Sequence, residues 1–77
     1  MPQVPVLTPQ QVIRVFESFG WVVQRKRGSH IVLTCLGKFN TLSIPDHREV
    51  GRGLLRDQIA KSGLTIEEFL VRCSEIL

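Results

Sequence analysis

A chain of 77 residues with 43% hydrophobic content has the material for one small core and not for two. Two cysteines without metal-ligand spacing, and no apolar run near the roughly 20 residues that cross a bilayer, argue against a disulfide-stapled scaffold and a membrane span, leaving a cytoplasmic domain as the expectation. The net charge of +3 is unevenly spread: residues 1–13 carry none, residues 14–61 hold nine Lys/Arg against four Asp/Glu, and residues 62–77 hold one against three, so a polyanion would be drawn to the middle.

Residues 1–7 read as a leader to a single folded core spanning 8–77. Thr8-Pro9-Gln10-Gln11 opens a helix, with Thr8 as cap, Pro9 at the first helical position and Gln11 completing a capping box. Val12, Ile13, Phe16 and Phe19 then recur at helical spacing until Gly20, so the first helix is expected over 9–19. Residues 21–26 and 30–36 are rich in β-branched and aromatic side chains and read as strands. Gly28-Ser29 between them suits a two-residue type II′ hairpin. A third strand is expected over 39–44, after Gly37-Lys38, with Pro45 ending it.

Past a polar loop, Leu54, Leu55 and Ile59 mark the buried face of a second helix that stops at Gly63. Thr65-Ile66-Glu67-Glu68 is a second capping box, and Ile66, Phe69, Leu70 and Cys73 make a stripe behind it. The order α-β-β-β-α, with a short extra C-terminal helix, predicts an α+β two-layer sandwich with helices on one sheet face. Phe16, Phe19, Trp21, Phe39 and Phe69 are the large side chains available for its core or an interface.

His30 is the first candidate for chemistry. A two-residue loop at Gly28-Ser29 sets it directly opposite Arg27 across the hairpin, which would put an acid–base group beside a cation able to hold a phosphate. Gly28 and Ser29 suit the anion-holding backbone of such a turn. A Ser29–His30 catalytic pair is disfavoured, because successive strand residues point to opposite faces. His47, in Pro45-Asp46-His47-Arg48, reads either as a second acid–base group or as a loop residue bonded to Asp46. Arg52 and Arg56, four apart at the start of the second helix, form either a solvated face or a phosphate track aided by free N–H groups near Gly51 and Gly53. A metal site from His30, Asp46, His47 and Glu49 lacks recognisable spacing, and no metal is expected. The chain has no Walker A loop, dinucleotide glycine motif, CxxC pair or HExxH, so no cofactor is expected either.

The segments "GW" after an amphipathic helix, "RKRGSH", "IPDH" and "GRGLLRDQIAKSGLTIEEFL", in that order, resemble the HicA (YcfA-like) family of messenger-RNA interferase toxins. The resemblance runs from Thr8 to Leu70 and is most specific at Gly28-Ser29-His30; Gly53-Leu54-Leu55 departs from the Gly-Thr-Leu type of triplet common there. It implies a fold similar to a double-stranded-RNA-binding domain. It also implies metal-independent cleavage of messenger RNA by the histidine of the Gly-Ser-His motif, which falls on His30, and a HicB-like antitoxin that covers the site.

The expectation is therefore an endoribonuclease, the toxin of a type II toxin–antitoxin pair. His30 would deprotonate a ribose 2′-OH for attack on the adjacent phosphorus, while cations among Arg25, Lys26 and Arg27 neutralise the charge that develops. His47 and water are the candidates for the acid that protonates the leaving oxygen. The alternatives are a non-catalytic RNA-binding module and a protein-interaction domain. His30, Val32 and Thr34 alternate with Ile31, Leu33 and Cys35, so one of these sets is expected at an interface, for an antitoxin or for self-association.

Overall fold

The computed structural model describes residues 3–77; Met1 and Pro2, the start of the expected leader, lie outside the described residues. Its first helix, α1 (Pro9–Glu17), begins where the capping box predicts. Thr8 Oγ1 accepts the Gln11 N–H at 3.2 Å, and Gln11 Oε1 accepts the Thr8 N–H at 3.0 Å. Helical spacing turns Val12, Val15 and Phe16 inward. The helix ends two residues before expected, and the chain reverses through Gly20, whose φ of 99° favours glycine.

Three antiparallel strands follow, β1 (Val22–Arg27), β2 (His30–Thr34) and β3 (Leu42–Pro45), in the spatial order β1-β2-β3. Gly28 at φ 59° makes the tight turn between the first two. The third strand starts later than expected, at Leu42, which leaves Phe39 fully exposed in the connecting loop rather than in the core. Two contacts explain this. The Lys38 N–H donates to the Cys35 carbonyl at 3.0 Å in a turn through Gly37 (φ 83°). Asn40 Nδ2 donates to the Lys61 carbonyl at 3.2 Å, holding the loop against the far end of a helix instead of the ladder.

That helix is α2 (Arg52–Ser62), closed by Gly63 at φ 84°. Its buried positions are Leu55, Gln58, Ile59 and Ser62, a regular helical stripe of which two members are polar. Leu54, expected in the core, is 37% exposed. α3 (Ile66–Ile76) is as long as α2, with 11 residues, and packs on α1 and α2 rather than on the sheet. It is more than the short appendage expected, because its Phe69 stacks on Phe16 with ring centres 5.2 Å apart in the middle of the core. Trp21 meets the other edge of Phe16 at 6.5 Å. The expected leader also contributes: Val4 is buried in the same cluster, and Leu7 bridges Val50, so the folded unit begins before residue 8. No helix is long and apolar enough to cross a membrane. Cys35 and Cys73 are free and half-buried, and burial pushes the Cys73 thiol up, so it stays protonated near neutral pH.

The second capping box carries a pH dependence. Hydrogen bonds from the Thr65 backbone and hydroxyl hold the Glu68 carboxyl below its ordinary value of 4.5. A depressed carboxylate favours the fold at every pH above that value and loses its contribution as the pH falls through its lower, folded value. Acid titration of α3 helicity by circular dichroism should therefore show a decline below pH 4.5 that Glu68→Gln reduces; identical acid profiles for both proteins would refute the assignment.

Candidate functional site

Strand register decides which side chains share the open face. Ile31 and Leu33 of β2, with Leu42 and Ile44 of β3, pair across the strands and face the core. His30, Val32 and Thr34 therefore occupy the opposite face, outside the core cluster, with Ser43 of β3 beside Val32. On β1, a bulge between Val23 and Arg25 shifts the alternation by one residue. Val23 opposes Leu33, so it shares the core-facing side, yet Arg25 opposes Val32 and Arg27 opposes His30. The extra residue, Gln24, accepts a hydrogen bond from Thr34 Oγ1 at 3.3 Å. Two guanidinium groups and one imidazole are thus gathered on one exposed surface.

Lys26, the third expected cation, is not part of that group. It opposes Ile31 on the core-facing side and pairs with the Asp46 carboxylate at 2.5 Å. The Asp46 N–H in turn donates to the Ser29 carbonyl at 2.6 Å. Gly28-Ser29-His30 and Pro45-Asp46-His47, fifteen or more residues apart in the chain, are therefore neighbours. His30 lies directly opposite Pro45, and Asp46 braces the turn through both its main chain and its side chain. Asp46 thus bonds to Lys26 and Ser29 rather than to His47. His47 is exposed in the following loop, and among the described residues its ring makes no hydrogen bond.

Ser43 is the member of this candidate site that sequence reasoning passes over. Its Oγ lies 3.2 Å from His30 Nδ1, and its main-chain N–H donates to Gln58 Oε1 at 2.9 Å. Gln58 is buried on α2, so the helix holds the edge strand, the strand holds the serine, and the serine holds the imidazole. With Nδ1 occupied, Nε2 is the ring nitrogen left to exchange a proton with a ligand. The only available signal, a hydroxyl on a strand, becomes informative once register places it diagonally from His30. Replacing Ser43 by Ala should free the ring and reduce any His30-dependent activity by roughly 5- to 100-fold. Its readout besides rate is the ¹⁵N spectrum of the His30 ring, where the tautomer ratio should change; an unchanged spectrum and rate would remove Ser43 from the site.

Arg52 and Arg56 lie elsewhere. Arg52 Nε donates to the Val4 carbonyl at 3.0 Å, tying the N-terminal segment to α2. Both arginines line a hollow of about 250 Å³ with Gln3, Val4 and Gly53, and no residue of the His30 face lines it. Gly51 at the helix start gives no side-chain cap, so the first N–H groups of α2 open near this hollow rather than at His30. Among the described residues, no three His, Cys, Asp or Glu side chains converge as a metal site would require.

A family model described as the HicA toxin of bacterial toxin–antitoxin systems matches residues 9–64, well over half of the chain. The matched stretch holds all three strands, the Ser43–His30 contact and the whole of α2, and stops before α3. No curated protein and no solved structure matches the chain.

Proposed function

The chain belongs to the HicA toxin family of bacterial toxin–antitoxin systems, and on that premise we propose that it is an endoribonuclease whose site is the open sheet face around His30. The observation that carries the reading is the juxtaposition of three side chains: the His30 imidazole, Ser43 holding it at Nδ1 so that Nε2 is left free, and Arg27 at the paired strand position.

The chemistry follows from what each group can do. His30 Nε2 takes the proton of a ribose 2′-OH, the freed oxygen attacks the adjacent phosphorus, and the 5′-oxygen of the next nucleotide leaves. A 2′,3′-cyclic phosphate and a 5′-hydroxyl result. Arg27 and Arg25 stand where charge grows on the non-bridging oxygens and stabilise it more than they stabilise the ground state. Ser43 is a positioning residue, since it acts through the ring. The leaving oxygen is protonated by His47, two residues beyond the strand partner of His30, or by water. Arg52 and Arg56, away from this face, extend RNA binding through phosphate contacts only. The family also implies an antitoxin partner, and the exposed basic face, with Val22 exposed opposite Thr34 at the far end of the same ladder, suits a protein that covers the site.

Induced expression in a bacterial host tests the reading at its coarsest. Growth should stop, full-length messenger RNA should disappear within the same interval, and co-expression of the antitoxin should restore both. Growth arrest with intact messenger RNA would contradict it.

A further inference from the structure

Leu36 and Phe39 sit fully exposed on either side of Gly37-Lys38, on a loop that is fixed rather than loose. Asn40 anchors it to Lys61, Lys38 Nζ lies 3.1 Å from where a Cβ on Gly63 would be, and Cys35 Sγ lies 3.8 Å from the same point on Gly20. These neighbours place the loop at the end of the molecule where α1 ends and α2 passes into α3. Near it a groove of about 450 Å³ runs along α3 against Phe19, just past the end of α1, lined by Phe19, Glu67, Glu68, Val71, Arg72 and Glu75. Its floor is apolar, with Val71 59% exposed, and its rim is acidic. Arg72 neutralises that rim only in part: it lies over the Phe19 ring at 4.2 Å, bonds the Ser18 carbonyl and pairs with Glu75, leaving Glu67 without an ion pair among the described residues.

A nucleic acid is the wrong occupant for this end of the molecule, since its phosphates would meet the Glu67, Glu68 and Glu75 carboxylates. A second copy of the chain is the right one. The loop offers two apolar side chains and the Lys38 ammonium, with Lys61 adjoining, and the groove offers an apolar floor and carboxylates. Because loop and groove adjoin, a two-fold axis between them lets each copy insert its loop into the other's groove and closes the assembly. We propose that this end of the molecule is a symmetric dimer interface in which Leu36 and Phe39 of one copy fill the Phe19–Val71 groove of the other. The interface lies at the opposite end of β2 from His30, roughly 15 Å along the strand, so both open sheet faces stay accessible in the dimer. The groove's α3 side lies outside the stretch that the family model matches.

Sedimentation velocity of the full chain, from low to high micromolar concentration, tests the proposal. A reversible monomer–dimer equilibrium is expected, weakened by added salt. Phe39→Ser and Val71→Ser should each raise the dimer dissociation constant by about 10-fold or more while leaving the monomer's melting temperature unchanged, because both positions are exposed. Lys38→Glu should weaken the dimer, and Lys38→Glu combined with Glu67→Lys should restore part of it. A chain that stays monomeric at every concentration overturns the proposal. A dimer indifferent to both serine variants does so as well, and so does a monomer whose RNA affinity falls with Phe39→Ser. None of these outcomes depends on whether His30 cleaves RNA.

Discussion

His30→Ala is expected to abolish RNA cleavage and growth inhibition while the protein still folds and still binds RNA. The side chain is exposed and outside the core cluster, and its one hydrogen bond is to Ser43, so its removal leaves no cavity and no buried polar atom unpartnered. A general base contributes typically 10²–10⁴-fold, and the other ionisable side chains on the same face within the strands, Arg25 and Arg27, carry guanidinium groups with no acceptor for a proton. Arg25 and Arg27 persist in the variant, so retention on single-stranded RNA should persist with its salt dependence. Cleavage that survives in the purified variant would move the chemistry off His30. Lost RNA binding would instead make the imidazole a contact residue.

The largest stability effect is expected at Phe16. It is fully buried and touches both Trp21 and Phe69, joining α1, the start of the sheet and α3. Phe16→Ala should cost about 3–5 kcal/mol, a large part of the roughly 4–12 kcal/mol that a domain of this size commands. Urea denaturation in dilute solution should place the variant's midpoint well below that of the unaltered chain. Phe39→Ala under the same conditions should change stability by less than about 0.5 kcal/mol, since Phe39 buries nothing in the monomer. Equal losses at the two phenylalanines would contradict the division between core and surface.

That contrast shows where the sequence is legible. Local devices read correctly, because their partners lie within one turn of chain: both threonine capping boxes, the Gly28-Ser29 turn and the Gly63 stop. The opposition of Arg27 and His30 follows from turn length alone. The strand placement of Phe39 and the core placement of Leu54 read incorrectly, since composition marks both apolar while their positions are fixed by distant contacts. For Phe39 the decisive contact is Asn40 with Lys61; for Leu54 it is the stripe through Leu55, Gln58 and Ile59. The stripe was hard to see because a glutamine occupies a core position, and it does so to satisfy the Ser43 N–H across the molecule.

The candidate site divides in the same way. His30, Gly28, Ser29 and Arg27 are one hairpin and are visible as one. The bulge at Gln24 is not, and without it the alternation that sets Val23 opposite Leu33 would turn Arg25 toward the core-facing side of the sheet. Lys26 has the same composition-level merit as its neighbours, and only register assigns it to Asp46 and away from His30. The tie of Arg52 to the Val4 carbonyl is not legible in the sequence, because that partner lies in a segment that reads as a leader. The Pro45-Asp46-His47 motif is visible in the sequence, yet the bracing of the Gly-Ser-His turn by Asp46 depends on β2–β3 pairing.

The central claim is that His30 activates a ribose 2′-OH. It is tested most directly by incubating the purified protein, in the presence of a chelator, with an RNA oligonucleotide and with the same oligonucleotide carrying 2′-deoxyribose at the cleaved nucleotide. Mass spectrometry of the fragments should show a 2′,3′-cyclic phosphate and a 5′-hydroxyl from the first and no scission of the second. Cleavage of the deoxy-substituted strand, or fragments ending in 3′-hydroxyl and 5′-phosphate, would contradict it.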